Sequence, residues 1–150
     1  MKRLLVGILL GVCALYAANV NDWNGTWKLN VAKSDYSKNT YVAPREGTLT
    51  FANDGWTYRS TDAKGQQQNS SGKSGSDVVS GGENITTVHT EPMANPFVRD
   101  VRFGLKDTGK EAMRVICMLL PDGNTIVMYD SGIAPDGKEW SDVRYFEKVK

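Results

Sequence analysis

Gly25-Thr26-Trp27-Lys28-Leu29-Asn30-Val31 is the stretch whose reading decides the fold. Apolar Trp27, Leu29 and Val31 alternate with polar Thr26, Lys28 and Asn30, a period of two that sends one set to each face of a strand. The same rhythm recurs downstream. Gly47 to Phe51 places Leu49 and Phe51 on one face, and Trp56 to Ser60 does the same for Trp56 and Tyr58. Between these two runs stands Asn53-Asp54-Gly55, residues that tolerate positive φ and so favour a tight hairpin turn.

Farther along, Gln66 to Gly72 reads either as a polar strand or as a loop, and Asn84 to Thr90 as a β-branched strand. Val98 to Leu105 alternates Val101, Phe103 and Leu105 against Asp100, Arg102 and Gly104. Glu111 to Leu120 is the longest apolar run, carrying Met113, Val115 and Cys117. Asp-Gly turns at 122–123 and 136–137 introduce Thr125 to Ser131 and Trp140 to Val149. No amphipathic helix interrupts the series. The expectation is an all-β, antiparallel up-and-down barrel of about 8–10 strands, its neighbours in sequence paired and its two ends meeting. Ala32 to Arg45, long and polar with Tyr36 and Tyr41, is the expected lid.

The chain begins differently. Met1, Lys2 and Arg3 precede an apolar run from Leu4 to Ala18, closed by Ala17 and Ala18, the layout of a secretory signal peptide. Its 15 residues fall short of the roughly 20 that a helix needs to span a bilayer. Residues 1–18 are therefore expected to be removed, leaving residues 19–150 as one domain, secreted or periplasmic, with no stable membrane span after cleavage. Val12 and Ala14 around Cys13 do not suit lipid attachment.

With Lys2 and Arg3 gone, 16 basic residues face 17 acidic ones, and the signs are interspersed. Such a surface offers no basic field for nucleic acid. Cys117 is the one cysteine left, so no internal disulfide forms. Its apolar setting points to a buried thiol.

Chemistry finds few residues to work with. His89 is the sole histidine, and with Cys117 it makes no tetrahedral ligand set. Asp54, Asp122 and Asp136 are accounted for as turn residues. No catalytic residues, metal site or cofactor are expected. The apolar inventory remains: Leu49, Phe51, Trp56, Tyr58, Phe103, Met113 and Tyr145 are the expected interior, ligand-contacting residues, with Val101, Val115 and Val143 beside them. Methionine and aromatic side chains suit an adaptable apolar pocket, and equally a plain core.

Gly25-Thr26-Trp27 resembles the G-x-W signature of the lipocalin and calycin group. The longer string from Gly25 to Ser34, with the closing Tyr145-Phe146-Glu147-Lys148, looks like a set of small exported bacterial lipocalin-like proteins. The resemblance implies a barrel closed at its base, a long first loop at the mouth and a hydrophobic molecule inside. It also implies that Trp27 packs beneath the barrel against an arginine near the end of the domain, matched here by Arg144. The functional expectation is a non-enzymatic carrier of a small hydrophobic or amphipathic molecule, with a monomer as its simplest state. The alternative is an envelope interaction or inhibitor barrel with a filled core.

Overall fold

At Asn53-Asp54 the chain reverses as its residue types require, with Asn53 in the left-handed region at φ 55°. The computed structural model describes residues 20–39, 42–73, 77–78, 85–92, 95–105, 108, 110–134 and 136–150. The expected signal peptide, residues 40–41 of the expected lid and parts of 66–83 lie outside them.

Among the described residues, a short 3-10 turn, Val20–Trp23, precedes ten strands. These are β1 (Gly25–Lys38), β2 (Pro44–Ala52), β3 (Gly55–Asp62), β4 (Gln67–Lys73), β5 (Asp77–Val78), β6 (Ile85–Pro92), β7 (Val98–Leu105), β8 (Glu111–Leu119), β9 (Thr125–Ile133) and β10 (Glu139–Lys148). They form one antiparallel sheet in the order β4-β3-β2-β1-β10-β9-β8-β7-β6-β5. Every neighbour is sequential except β1 and β10, where the two ends of the chain pair. The sheet curls until Cα atoms of β4 approach β6 within 8 Å. Side chains meet across the curl: Trp56 of β3 lies edge-on to Phe103 of β7, centroids 6.2 Å apart. The expected all-β meander is the observed one.

The interior is a single apolar cluster. Trp27, Leu29, Leu49, Phe51, Val101, Phe103, Val115, Leu119, Ile126 and Phe146 are all buried in it. Cys117 is buried there too, as its apolar setting suggested, and burial pushes its thiol up to about 12. It is no nucleophile at neutral pH.

The base of the barrel is closed by tryptophans. Trp27 is fully buried and donates its indole N–H to the Trp23 carbonyl at 3.0 Å. Trp23 in turn donates to the Pro96 carbonyl at 2.9 Å. Arg99 stacks on Trp23, 4.9 Å from its ring centroid, and Lys148 holds its ammonium 4.9 Å from the centroid of Trp27. The cation over Trp27 is thus Lys148, and the expected Arg144 contact is corrected. Arg144 shares the inward phase of Lys148 but sits four residues earlier on β10, one full step deeper into the barrel.

The expected lid is also corrected. β1 continues to Lys38 and β2 begins at Pro44, so most of Ala32 to Arg45 is strand. A bulge makes this possible. Lys33 N–H donates to Asn30 Oδ1 at 3.1 Å, Ser34 Oγ donates to the Asn30 carbonyl, and Tyr145 N–H donates to Ser34 Oγ. Pairing with β10 then resumes in a shifted register, Asp35 opposite Val143. The same bulge turns Val31 out to 39% exposure, away from the face it was expected to share with Leu29.

Gln67–Lys73, the segment that admitted two readings, is a strand whose Gly72 pairs with Trp56. A Cβ at position 72 would lie 2.5 Å from Trp56 Nε1, so only glycine lets the indole lie flat against β4. Gly72→Ala is expected to lower stability by about 1–3 kcal/mol through overpacking. Trp27→Ala is expected to lower it by about 3–5 kcal/mol. Urea denaturation of each variant followed by circular dichroism checks both values, with unchanged midpoints as the contrary result.

Candidate functional site

The residues expected to line the interior divide into two groups. Leu49, Phe51, Trp56, Tyr58 and Phe103 are buried in the one core cluster, and partly buried Met113 packs against it. Tyr145 is not among them. It lies in the phase of Val143 and Glu147, paired with Asn30 and Val127 on the outer face. The inward residues of β10 are Asp142, Arg144 and Phe146, each under 8% exposed. The apolar appearance of Val143 and Tyr145 suggested the opposite phase.

That phase carries a charge cluster into the barrel. Asp142 pairs with Asp130 across the β9–β10 ladder, and Arg144 pairs with Met128. The Arg144 guanidinium forms an ion pair with Asp130, and its Nε lies 3.3 Å from Asp142 Oδ1. Asp142 also accepts a hydrogen bond from Asn39 Nδ2 at 2.7 Å, and Arg144 stacks on Tyr58, 5.1 Å from the ring centroid. Asp130 is wholly buried, and its Oδ1 has no hydrogen-bond partner among the described residues. Tyr36, brought inward by the shifted register after the β1 bulge, lies in the field of Arg144, Tyr58 and Asp142. Burial pushes its hydroxyl up to about 12, so it stays protonated. The signal that could have revealed this cluster was the alternation of Asp142, Arg144 and Phe146 itself. Buried charge is rare enough that the alternation was read the other way.

Above the cluster the wall opens into a cleft of about 540 Å³. It lies where the end of β1 meets the starts of β8 and β10 and the end of β9, at the opposite end of the barrel from Trp23 and Trp27, and Tyr129, Ser131, Ile133, Glu139 and Ser141 line it from the outward phase of β9 and β10. Met113, Tyr129, Ile133 and Trp140 supply its apolar surface, and Lys38, Glu111 and Glu139 its charges. Gly132 is a requirement of this geometry. A Cβ there would come within 2.9 Å of the Trp140 ring and 2.6 Å of the Ala112 carbonyl. Of the residues expected to touch a ligand, Met113 is the one that lines this cleft. Trp140 and Ile133 went unrecognised because strand ends carry little periodic signal, and Tyr129 because it stands in mid-strand on the outward phase, opposite Val143.

A second charge constellation faces outward. Asp100, 3% exposed, accepts hydrogen bonds at 2.9 Å from both Arg114 Nε and Nη2, and further bonds from Arg102. Burial acts to raise the Asp100 pKa, but the bonds from Arg114 and Arg102 outweigh it and hold the carboxyl below its ordinary value. Among the described residues, no group of three or more His, Cys, Asp or Glu is placed to hold a metal. No helix among them is long and apolar enough to cross a membrane.

Comparison with solved structures places this architecture. The fluorescent protein UnaG superposes with a TM-score of 0.59 at 14% identity, covering 87% of this chain and 100% of that one. Lipid binding protein 8 of Caenorhabditis elegans, in its apo form, gives 0.59 at 13% identity, covering 89% and 99%. The zebrafish ileal bile acid-binding protein, solved with cholic acid, gives 0.50 at 9% identity, covering 85% and 99%. No protein-family model matches the chain, and no curated protein matches it by sequence. Identities this low speak for fold alone, and the fold is the lipocalin-like, calycin-type barrel.

Two outcomes are expected of the charge clusters. Arg144→Met leaves Asp130 and Asp142 buried without their cation, at a cost of about 3–5 kcal/mol. Thermal and urea unfolding measure it, and a loss within error of zero would contradict the buried pairing. For Asp100 the lowered pKa fixes the sign: its stabilisation is present in full above the ordinary value of 3.8 and is lost as pH falls through the lower folded value. The stability difference between the parent protein and Asp100→Asn is therefore expected to be largest near neutrality and to shrink below pH 3.8. A difference independent of pH would count against the assignment.

Proposed function

We propose that this chain is an exported carrier, secreted or periplasmic, that binds a small hydrophobic or amphipathic molecule at the mouth of its barrel. One observation carries the reading. The cleft of about 540 Å³ sets Met113, Tyr129, Ile133 and Trp140 beside Lys38, Glu111, Ser131, Glu139 and Ser141, a mixed lining that suits an amphipathic molecule. Its volume falls within the roughly 300–1,000 Å³ typical of ligand pockets.

The fold supports this reading. Its structural neighbours include a lipid binding protein and a bile acid-binding protein with cholic acid bound, and binding rather than catalysis is what those names describe. Within this barrel, Leu49, Phe51, Trp56, Tyr58 and Phe103 form an apolar core, and Met113 packs against that core while lining the cleft. Association rests on shape and apolar burial, with no covalent step. The rival reading, a filled barrel that acts on another protein through its loops, draws on the ion cluster packed into the barrel's middle.

Native mass spectrometry of the protein purified from its own envelope fraction, with the denatured mass alongside, separates the two. The expected result is a non-covalent adduct of small mass that is lost on denaturation. Adding apolar ligand should also change tryptophan fluorescence in the parent protein, and the change should be weaker in Trp140→Phe. A clean apo mass together with no response to apolar dyes would overturn the carrier reading in favour of the loop-mediated one.

A further inference from the structure

We infer that the mouth cleft selects a cationic amphiphile, an ammonium or guanidinium group on an apolar or aromatic body, held between Glu111, Glu139 and the rings of Trp140 and Tyr129. This inference rests on the carrier reading above and adds the chemical class of the ligand.

The first reason is what the barrel withholds. A guanidinium inside an apolar barrel is the natural partner of a carboxylate-headed ligand. Arg144 is already engaged: Asp130 and Asp142 both lie against it and both are nearly inaccessible. Held by both carboxylates, the Arg144 guanidinium is not open to a ligand's carboxylate, and Asp130 and Asp142 face the opposite side of the sheet from Ser131 and Ser141, which line the cleft.

The second reason is what the cleft offers. Its charged lining is Lys38, Glu111 and Glu139, again with acids in excess. Glu139 has no ion-pair partner among the described residues. Glu111 has only a loose one, Arg102 Nε at 4.0 Å. Nearby Lys138 is held by Asp136 at 3.0 Å and does not compensate them. Tyr129 is 44% exposed and Ile133 60%, an unusual display of large apolar surface beside two carboxylates. A cation attached to an apolar body satisfies all of these groups at once. The ammonium meets the carboxylates and an aromatic face, while the body covers Ile133 and Met113.

Calorimetric titration with three probes of one chain length, dodecylammonium, dodecanol and dodecanoate, each below its aggregation concentration, tests this. The expected order is dodecylammonium tightest and dodecanoate weakest. The spread between them should be roughly five- to twentyfold at low salt, since exposed carboxylates each contribute a factor of about 1.4 to 5. Raising the salt should narrow it. In the Glu111→Gln/Glu139→Gln double variant, dodecylammonium affinity should fall and dodecanoate affinity rise until the two are nearly equal. Both glutamates are exposed, so the variant is expected to fold normally. Dodecanoate binding as tightly as dodecylammonium would overturn the cationic class while leaving the carrier reading standing. A preference that survives in the double variant would overturn the assignment to these glutamates. Failure of all three probes to bind would overturn the carrier reading and this inference together.

Discussion

Leu29 of the first strand lies opposite Phe146 of the last, and Phe146 lies opposite Ile126. This row joins the two ends of the chain, and all three side chains are buried. Because strand side chains alternate with a period of two, seating Phe146 in the core leaves the rest of β10 no freedom. Arg144 and Asp142 must follow it inward, and Val143 and Tyr145 must face out. On β9 the same rule takes Met128 and Asp130 inward behind Ile126. The charge cluster is therefore a consequence of closure: the strand that completes the barrel brings its charges with it.

Burying those charges has a cost, and the cluster contains what offsets it. Arg144 meets two carboxylates and an aromatic face, and Asn39 reaches Asp142 from the far end of β1. A buried ion pair is weak evidence of added stability, since apolar packing of equal volume does as well or better. Its structural effect here is spatial. The cluster lies on the inward side of β9 and β10, while Trp23 and Trp27 pack at the base under Arg99 and Lys148. Space for a ligand is left at the mouth, around Trp140 and Met113. The β1 bulge completes that division, because the shifted register carries Tyr36 inward toward the cluster and leaves Lys38 beside the cleft.

The strands themselves were legible. The Leu49–Phe51 and Trp56–Tyr58 faces, the Asn53-Asp54 turn and the Val101–Phe103 alternation all sit as their residue types indicate, because each is local chemistry. Asp122 shows the same locality, its carboxylate accepting from the Asn124 and Thr125 backbone N–H groups within its own turn. The bulge at Asn30 was not legible: it is held by Tyr145, more than a hundred residues away. The partner of Trp27 was not legible either. Arg144 and Lys148 are both inward cations on one strand, and only the register with β1 shows that Lys148 is the one level with the tryptophan.

The sequence by itself determined that this is an antiparallel meander with apolar faces, a buried thiol at Cys117 and no charge field for nucleic acid, because alternation, turn chemistry and composition act over a few residues. Only the tertiary structure decided which face of β10 is the inside, where Arg144 finds its carboxylates, and that the cleft lies at the mouth. Those outcomes depend on the pairing of residues at opposite ends of the chain. A strand with apolar residues on one face and an arginine and an aspartate beside a phenylalanine on the other is locally ambiguous, and it is resolved only when Phe146 meets Leu29.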